Sequence, residues 1–561
     1  MTYDLKDIKA PRLAGGALGF FAGLLNIGFL RGLLVPKLFR DARIANFRAF
    51  VADEAPTLQP FRDPSGADRA FAPVASSALD TFAAPDPARG FQFRTVGDFA
   101  EAYRAGRLTP EDVARRVTRA IQATEAGDRP LRAIIASEAA DLMEQARASS
   151  ERWRNGSPLS IFDGVPVAVK DELDQTPYPT RVGTKFIDRR PGADATPVAR
   201  MRAAGALLIG KANMHEIGLG VTGLNPHYGV CRNPYNPDHH SGGSSSGSGA
   251  AVGAGLCPVA VGADGGGSVR IPASFCGVAG LKATFGRISE HGAYPLCWSV
   301  AHVGPLGATV RDVAMAYALM GGPDEHDAYS MRQPAVHLTD LDRGDLSGLR
   351  IGIFDPWFDH GASDLVAGCR TAVAGLEARG ARVVDIEVPD LEAMRVGHAM
   401  TISSEMLSAM EPFMARHEGD FGLDVRINLK LTSQFTNADY LRAQRLRTLM
   451  FRHFDAAFAQ CDVILTPTTG VTAPPINPAA LPRGESDLTT LTKIMRFVLA
   501  GNFLGYPALS VPVGYDGAGL PIGLQIMGPH WQEHLLLRIG LVAESELERR
   551  APAVYHDLLA D

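Results

Sequence analysis

The chain has 561 residues, 46% of them hydrophobic and only 21% charged, with 59 Gly and 38 Pro; with no fixed repeat, that excludes a disordered, coiled-coil or collagen-like protein. The length exceeds the roughly 250–300 residues at which a single ordinary core stops growing, so one large domain or two are expected. Lys and Arg number 55 against 61 Asp and Glu, a net charge of −6 without basic blocks, and this leaves a nucleic-acid partner no electrostatic footprint.

The first predicted element is an uncharged stretch, Leu13–Leu30 (LAGGALGFFAGLLNIGFL), flanked by Arg12 and Arg31. A bilayer-spanning helix needs about 20 apolar residues, and the glycines and Asn26 weaken this one as a helix in water. Asp4 and Asp7 in the leader, and no small-residue cleavage site around Val35-Pro36-Lys37, argue against a secretory signal. Arg31, Lys37, Arg40 and Arg43 alternate with Leu33, Leu34, Leu38, Phe39 and Ile44, which suits one or two helices packed on the body or lying in a membrane interface. A true span and ordinary core are the competing readings. Residues 1–50 are therefore assigned to a hydrophobic helical cap facing a membrane or a second protomer. Residues 51–94, rich in Pro, Ala and Asp, are assigned to a wrapping linker, and residues 95–550 to the main domain.

Strand–helix–strand units follow. Val165–Val169 is an apolar run of buried-strand type. Thr196 is a candidate N-cap with Pro197 at the first helical position, the helix running to about Ala204, where Gly205 stops it before a strand at Leu207–Ile209. The pattern recurs as a strand at Leu349–Phe354, a helix at Leu365–Arg379 and a strand at Arg382–Val388, with late strands at Val463–Leu465, Leu509–Val513 and Ile522–Ile526. This alternation predicts an α/β fold: a large mixed, mostly parallel sheet flanked by helices on both faces, with chemistry in the loops at the carboxyl ends of strands. The six cysteines are scattered with no C-x-x-C, so neither a disulfide framework nor a cysteine zinc site is indicated, and a reducing cytoplasm is the expected setting.

The densest chemical signal is the Gly/Ser-rich stretch from Ser241 to Arg287. Gly205–Ala212 nearly fits a phosphate-binding loop, but Ala212 replaces the Ser or Thr that would hold magnesium, and its glycines bracket an apolar run. Gly243–Gly247 formally matches a G-x-S-x-G nucleophile elbow, yet the residues before it form a loop rather than the strand an elbow needs. A third reading places Ser268 at the end of Gly265-Gly266-Gly267, after a strand at Cys257–Ala263. Successive glycines let backbone N–H groups converge as an oxyanion hole demands. The competing reading is a tight turn with Ser268 as a helix cap. Lys170, closing the strand at Val165–Val169, is a candidate base, because an enclosed ammonium is desolvated and its neutral amine becomes accessible; the alternative is an exposed lysine at a strand end.

Taken together these residues resemble the amidase signature family, whose machinery is a lysine at a strand end, a serine in a GGSS stretch and a nucleophilic serine in a DxGGS stretch. The matching positions are Lys170, Ser244 and Ser268, and Arg270 completes the GGS-x-R pattern. Within the family the wording is most similar to the plant-type fatty acid amide hydrolase group: KAPRLAG at 9–15, GKANMHEIGLG at 210–220, GGSSSGS at 242–248 and GGGSVRIPASFCG at 265–277. It continues as VILTPTTGVTAPPI at 463–476 and as the stretch at 495–528. Ala263 departs from the family's usual threonine, which bears on support of the nucleophile loop without removing a catalytic atom.

The resemblance implies the amidase signature fold over residues 95–550 and a serine hydrolase needing no metal or organic cofactor. Lys170 in its neutral form takes a proton from Ser244, Ser244 takes one from Ser268, and Ser268 attacks the amide carbonyl. The N–H groups of Gly265, Gly266, Gly267 and Ser268 hold the oxyanion. By the same likeness the Ser244 peptide is cis, Asp264 and Arg270 stand behind the reacting groups, and Gly218, Leu219 and Gly220 line an acyl channel. The implied substrate is a small-molecule amide, a lipid amide such as an N-acylethanolamine; the implied assembly is a homodimer, peripheral on a membrane. A broad aryl amidase, esterase or carbamate hydrolase is the alternative within the class, and the catalytic component of a tRNA-dependent amidotransferase is a further one. Outside the class, the alternative is a non-catalytic membrane-associated scaffold.

Overall fold

The computed structural model describes residues 3–64, 76–82, 88–481 and 483–560; parts of the expected wrapping linker at 65–75 and 83–87 lie outside the described residues. The N-terminal segment forms α1 (Gly15–Asn26), α2 (Gly28–Asp41) and α3 (Ile44–Ala49). Ile27 is extended between the first two, which meet at a bend of 112°, and among the described residues no single helix is long and apolar enough to cross a membrane. The inner face of α1 (Leu18, Ala22, Leu25) packs on Ile427, Leu423 and Leu431 of a later helix. Just before α1, Leu13–Ala14 pairs antiparallel with Glu485–Ser486 and clamps the segment to the body.

Among the described residues eleven strands make one sheet. They are β1 (Ile134–Ala136), β2 (Pro166–Lys170), β3 (Leu207–Ala212), β4 (Val259–Ala263), β5 (Ala279–Lys282), β6 (Val303–Gly307), β7 (Arg350–Ile353), β8 (Arg382–Asp385), β9 (Val463–Pro467), β10 (Ala508–Tyr515) and β11 (Pro521–Met527). Their spatial order is β8-β7-β9-β11-β10-β5-β6-β4-β2-β3-β1. β2–β3, β2–β4, β7–β8 and β7–β9 pair in parallel, and the other neighbours run antiparallel. The sheet is thus mixed, with parallel pairing confined to two wings. Strand–helix alternation reveals the wings, whereas the antiparallel middle arises from distant strands inserting between them.

β2, β3 and β4 are buried at every residue, and they read as continuous apolar runs because helices cover both faces. Two short helices carry the Gly/Ser-rich region: α4 (Ser246–Gly253) and α5 (Arg270–Cys276). A long helix, α6 (Leu391–His417), lies across the sheet's loop end and continues through α7 (Leu423–Thr432), on which α1 sits, to α8 (Asn437–Phe458). One local expectation is corrected. The helix at Thr196–Ala203 is entered through Ala195, and the Thr196 hydroxyl donates to Asp324 at 2.5 Å instead of capping its own helix.

Candidate active site

Parallel pairing of β2 with β4 brings their carboxyl ends side by side, Val169 opposite Val261. Lys170 closes β2 with its side chain 1% exposed. Its Nζ donates to Ser244 Oγ at 2.9 Å and to the Ala263 carbonyl at the end of β4 at 3.0 Å, and it lies 2.7 Å from Glu172 Oε2. Three acceptors thus surround the three donor directions of one buried amino group. Glu172 is also buried. Its only signal in the sequence is its position two residues after the lysine.

Ser244 sits in the loop before α4, and the Gly243–Ser244 peptide is cis. Its carbonyl accepts from His215 N at 3.1 Å. The glycines around it serve close packing: a β-carbon at Gly247 would lie 2.2 Å from the Ala133 carbonyl oxygen, so any larger residue would force α4 away. The next residue ties this loop to the other serine, Ser245 N donating to the Ser268 carbonyl at 3.2 Å. Ser268 is 6% exposed, and its hydroxyl makes no hydrogen bond to another described residue. Lys170, Ser244 and the Ser268 loop are therefore gathered at one strand end.

The loop Asp264–Ser268 is shaped by its aspartate. Asp264 accepts from Gly267 N at 2.5 Å, Val269 N at 3.1 Å, Arg270 Nε at 3.0 Å and Asn502 Nδ2 at 2.9 Å, and all of this is buried. Burial pushes the Asp264 carboxyl up, but the Arg270 guanidinium, Lys282 and the backbone donors outweigh it and hold the group well below the usual carboxylate range. This corrects the expected oxyanion hole: the Gly267 N–H is spent on Asp264. The N–H groups of Gly265, Gly266 and Ser268 have no partner among the described residues, and these remain free for an oxyanion. Asp264 and Arg270 are both buried behind the loop and pair at 3.0 Å.

The expected channel residues lie nearby. A β-carbon at Gly218 would be 3.5 Å from Ser244 Oγ. Leu219 and Gly220 line a cavity of about 180 Å³ together with Arg12, His215, His240, Asp424, Glu485 and Leu491, which makes this stretch of wall more polar than an acyl channel requires. The stretch that nearly matches a phosphate loop runs into β3, with Lys211 buried 3.8 Å from Asp171, and the formal nucleophile elbow spans the loop before α4 and the first two residues of that helix. Two residues that sequence reasoning misses also touch the nucleophile loop: His398 on α6, whose Nε2 is 2.8 Å from the Gly265 carbonyl, and Asn502, whose Nδ2 donates to the Asp264 carbonyl at 2.7 Å.

A family model described as amidase matches residues 115–537, most of the chain. The chain belongs to the amidase family. It is an amide-hydrolysing enzyme. It is 38% identical over its whole length to a fatty acid amide hydrolase of Medicago truncatula, covering 97% of that protein. A glutamyl-tRNA(Gln) amidotransferase component of Chloroflexus aggregans is 35% identical but aligns with 80% of this chain and 95% of its own. The solved peptide amidase of Stenotrophomonas maltophilia superposes with a TM-score of 0.72 at 30% identity, covering 82% of this chain and 98% of that one.

Proposed function

We propose that this amidase hydrolyses fatty acid amides, N-acylethanolamines being the type case, through an acyl-enzyme on Ser268. Lys170, in its neutral form, takes the Ser244 proton while Ser244 takes that of Ser268, and the freed Ser268 oxygen adds to the amide carbonyl. The Lys170–Glu172 pair stays neutral overall whether the shared proton sits on nitrogen or on oxygen, so the buried site can expose the free amine without sending a proton to solvent. The N–H groups of Gly265, Gly266 and Ser268 receive the oxyanion. Collapse of the tetrahedral adduct breaks the C–N bond as Ser244 returns a proton to the amine, and water then releases the acid. The hydrogen bond from Lys170 to Ser244 at 2.9 Å supports the relay.

The lipid assignment rests on one observation: likeness to the Medicago fatty acid amide hydrolase extends across the N-terminal helices, whereas the Chloroflexus amidotransferase component matches only 80% of the chain. Those helices present Phe20, Ile27, Phe29 and Leu33 to solvent, Phe29 with 76% of its surface exposed, beside Arg31, Lys37 and Arg40. Exposed apolar side chains with cations nearby in the sequence suit a bent helix pair lying in the headgroup region of a bilayer, where a sparingly soluble amide is concentrated.

The test is turnover across amides of two to twenty acyl carbons, since each buried methylene contributes about 0.8 kcal/mol. A rise with chain length supports the assignment, and a preference for the shortest amide defeats it. For the helix pair, F20S/F29S is expected to lose sedimentation with anionic vesicles while hydrolysis of a short soluble amide is retained. Unchanged vesicle binding rejects the membrane reading, as does unchanged binding combined with conversion of a dimer to a monomer, which would assign the patch to a second copy.

A further inference from the structure

Three peptide units of the nucleophile loop carry N–H groups without a partner among the described residues, those of Gly265, Gly266 and Ser268. These units are trans, the cis bonds among the described residues being Thr176–Pro177 and Gly243–Ser244. In a trans peptide the C=O and N–H of one unit point in opposite directions within one plane, so holding the oxygen fixes where the N–H aims. Each of the three units has its oxygen held. The Asp264 carbonyl accepts from Asn502 Nδ2 at 2.7 Å, the Gly265 carbonyl from His398 Nε2 at 2.8 Å, and the Gly267 carbonyl from Ile271 N at 2.7 Å. The last bond belongs to the first turn of α5. The other two come from side chains 238 and 133 residues away, on helices outside the serine-bearing loops.

We infer that His398 is a positioning residue of the oxyanion hole: by donating Nε2–H to the Gly265 carbonyl it turns the Gly266 N–H toward the charge that develops on the substrate oxygen. This rests on the assignment of Ser268 as nucleophile.

The surroundings of His398 fit the role. A carbonyl oxygen only accepts, so Nε2 must carry the proton. The ring is 1% exposed, and burial, helped by the charges of Arg447 and Arg270, pushes it down to about 4, so it is neutral at pH 7 and brings no cation into the hole. It lies directly against the backbone it orients: a β-carbon at Gly266 would be 3.0 Å from His398 Cε1. Phe503 meets the ring edge-on with centroids 6.4 Å apart and limits its rotation. Nothing else among the described residues holds the Gly265 oxygen.

The experiment compares H398F and H398Q with the full-length wild type, using an amide the wild type hydrolyses and a trifluoromethyl ketone, which forms a tetrahedral oxyanion adduct with a serine. Deleting one oxyanion donor costs about 10²–10³ in kcat, and misaiming one costs less, so H398F is expected to lower kcat about ten- to hundredfold with KM within about threefold. It should weaken the trifluoromethyl ketone by the same factor. H398Q places an amide N–H at similar reach and is expected to recover most of both. A kcat for H398F within threefold of wild type overturns the inference. So does a loss confined to KM, or a folded H398Q as impaired as H398F. If H398F does not fold, H398Q decides alone: near-normal kcat supports the role and a large loss rejects it. S268A run in parallel separates the two levels, because turnover by S268A would remove the nucleophile assignment whatever His398 does.

Discussion

The Lys170 side-chain nitrogen donates to the Ser244 hydroxyl over 2.9 Å, across 74 residues of sequence. Parallel pairing of β2 and β4 sets Lys170 beside the end of β4, where the Ala263 carbonyl accepts from both Lys170 Nζ and Ser245 Oγ and so holds the Ser244 loop against the lysine. A residue that perturbs the pair should therefore act on catalysis before it acts on the fold.

Glu172 is the first such residue. At 2.7 Å it is the nearest carboxylate to Nζ, and both groups are buried. E172Q keeps the shape and removes the proton acceptor, so kcat is expected to fall at least about tenfold, within the range of about 10²–10⁴ that a positioned acid–base group supplies. Steady-state kinetics at pH 7 check this. Wild-type kcat in a folded E172Q would show that Glu172 has no part in the relay.

Arg270 should act on both stability and activity. Its guanidinium meets Asp264, Gln525 and Asn502 with no exposed surface. Removing one member of a buried pair leaves the other charge uncompensated, at a cost of about 3–5 kcal/mol. R270M is expected to lower unfolding free energy by about that amount and to abolish turnover, because Asp264 also holds the N–H groups of Gly267 and Val269. Denaturant unfolding measures the first effect, and a loss under about 1 kcal/mol would contradict the account.

Acid should destabilise the protein earlier than carboxylates alone would cause. Burial pushes His398 down to about 4 from 6.5, and burial with the Lys282 charge holds His302 well below its usual range. Between pH 6.5 and about 4 the unfolded chain takes up protons that the folded His398 refuses, so stability falls as pH falls through that window. Glu533 extends the loss. Burial raises its carboxyl, the Arg287 charge and Thr284 hydrogen bonds bring it to about 2 against 4.5 unfolded, and its contribution disappears as pH drops from 4.5 toward 2. Urea midpoints at pH 7, 6, 5 and 4.5 should decline throughout. A flat profile down to pH 5 would contradict the histidine contribution.

Lys170 and Ser268 are legible in the sequence because each sits where local rules apply, a polar residue closing an apolar strand and a serine ending a run of glycines that admit close backbone approach, whereas Ser244 is reached only through the family resemblance. Glu172 is adjacent yet silent, because its meaning depends on which way two side chains turn after the strand ends. His398 and Asn502 carry no local signal. One lies within a long helix of ordinary composition and the other in a short one, and only tertiary packing brings them to carbonyls 133 and 238 residues away. The Gly267 N–H reads as an oxyanion donor because a run of glycines does not show which N–H the preceding aspartate takes. Strand order is hidden for the same reason: helix-linked strands announce the parallel wings, and nothing local announces that β5, β6, β10 and β11 join them.

The most direct test is to label the folded protein with a fluorophosphonate, locate the adduct by peptide mass spectrometry, and repeat the labelling and the amide assay with S268A, S244A and K170A. The account predicts one adduct, on Ser268, no labelling or turnover by S268A, and losses of about 10²–10⁴ for the other two. An adduct on a different serine, or an S268A protein that still hydrolyses the amide, would contradict it.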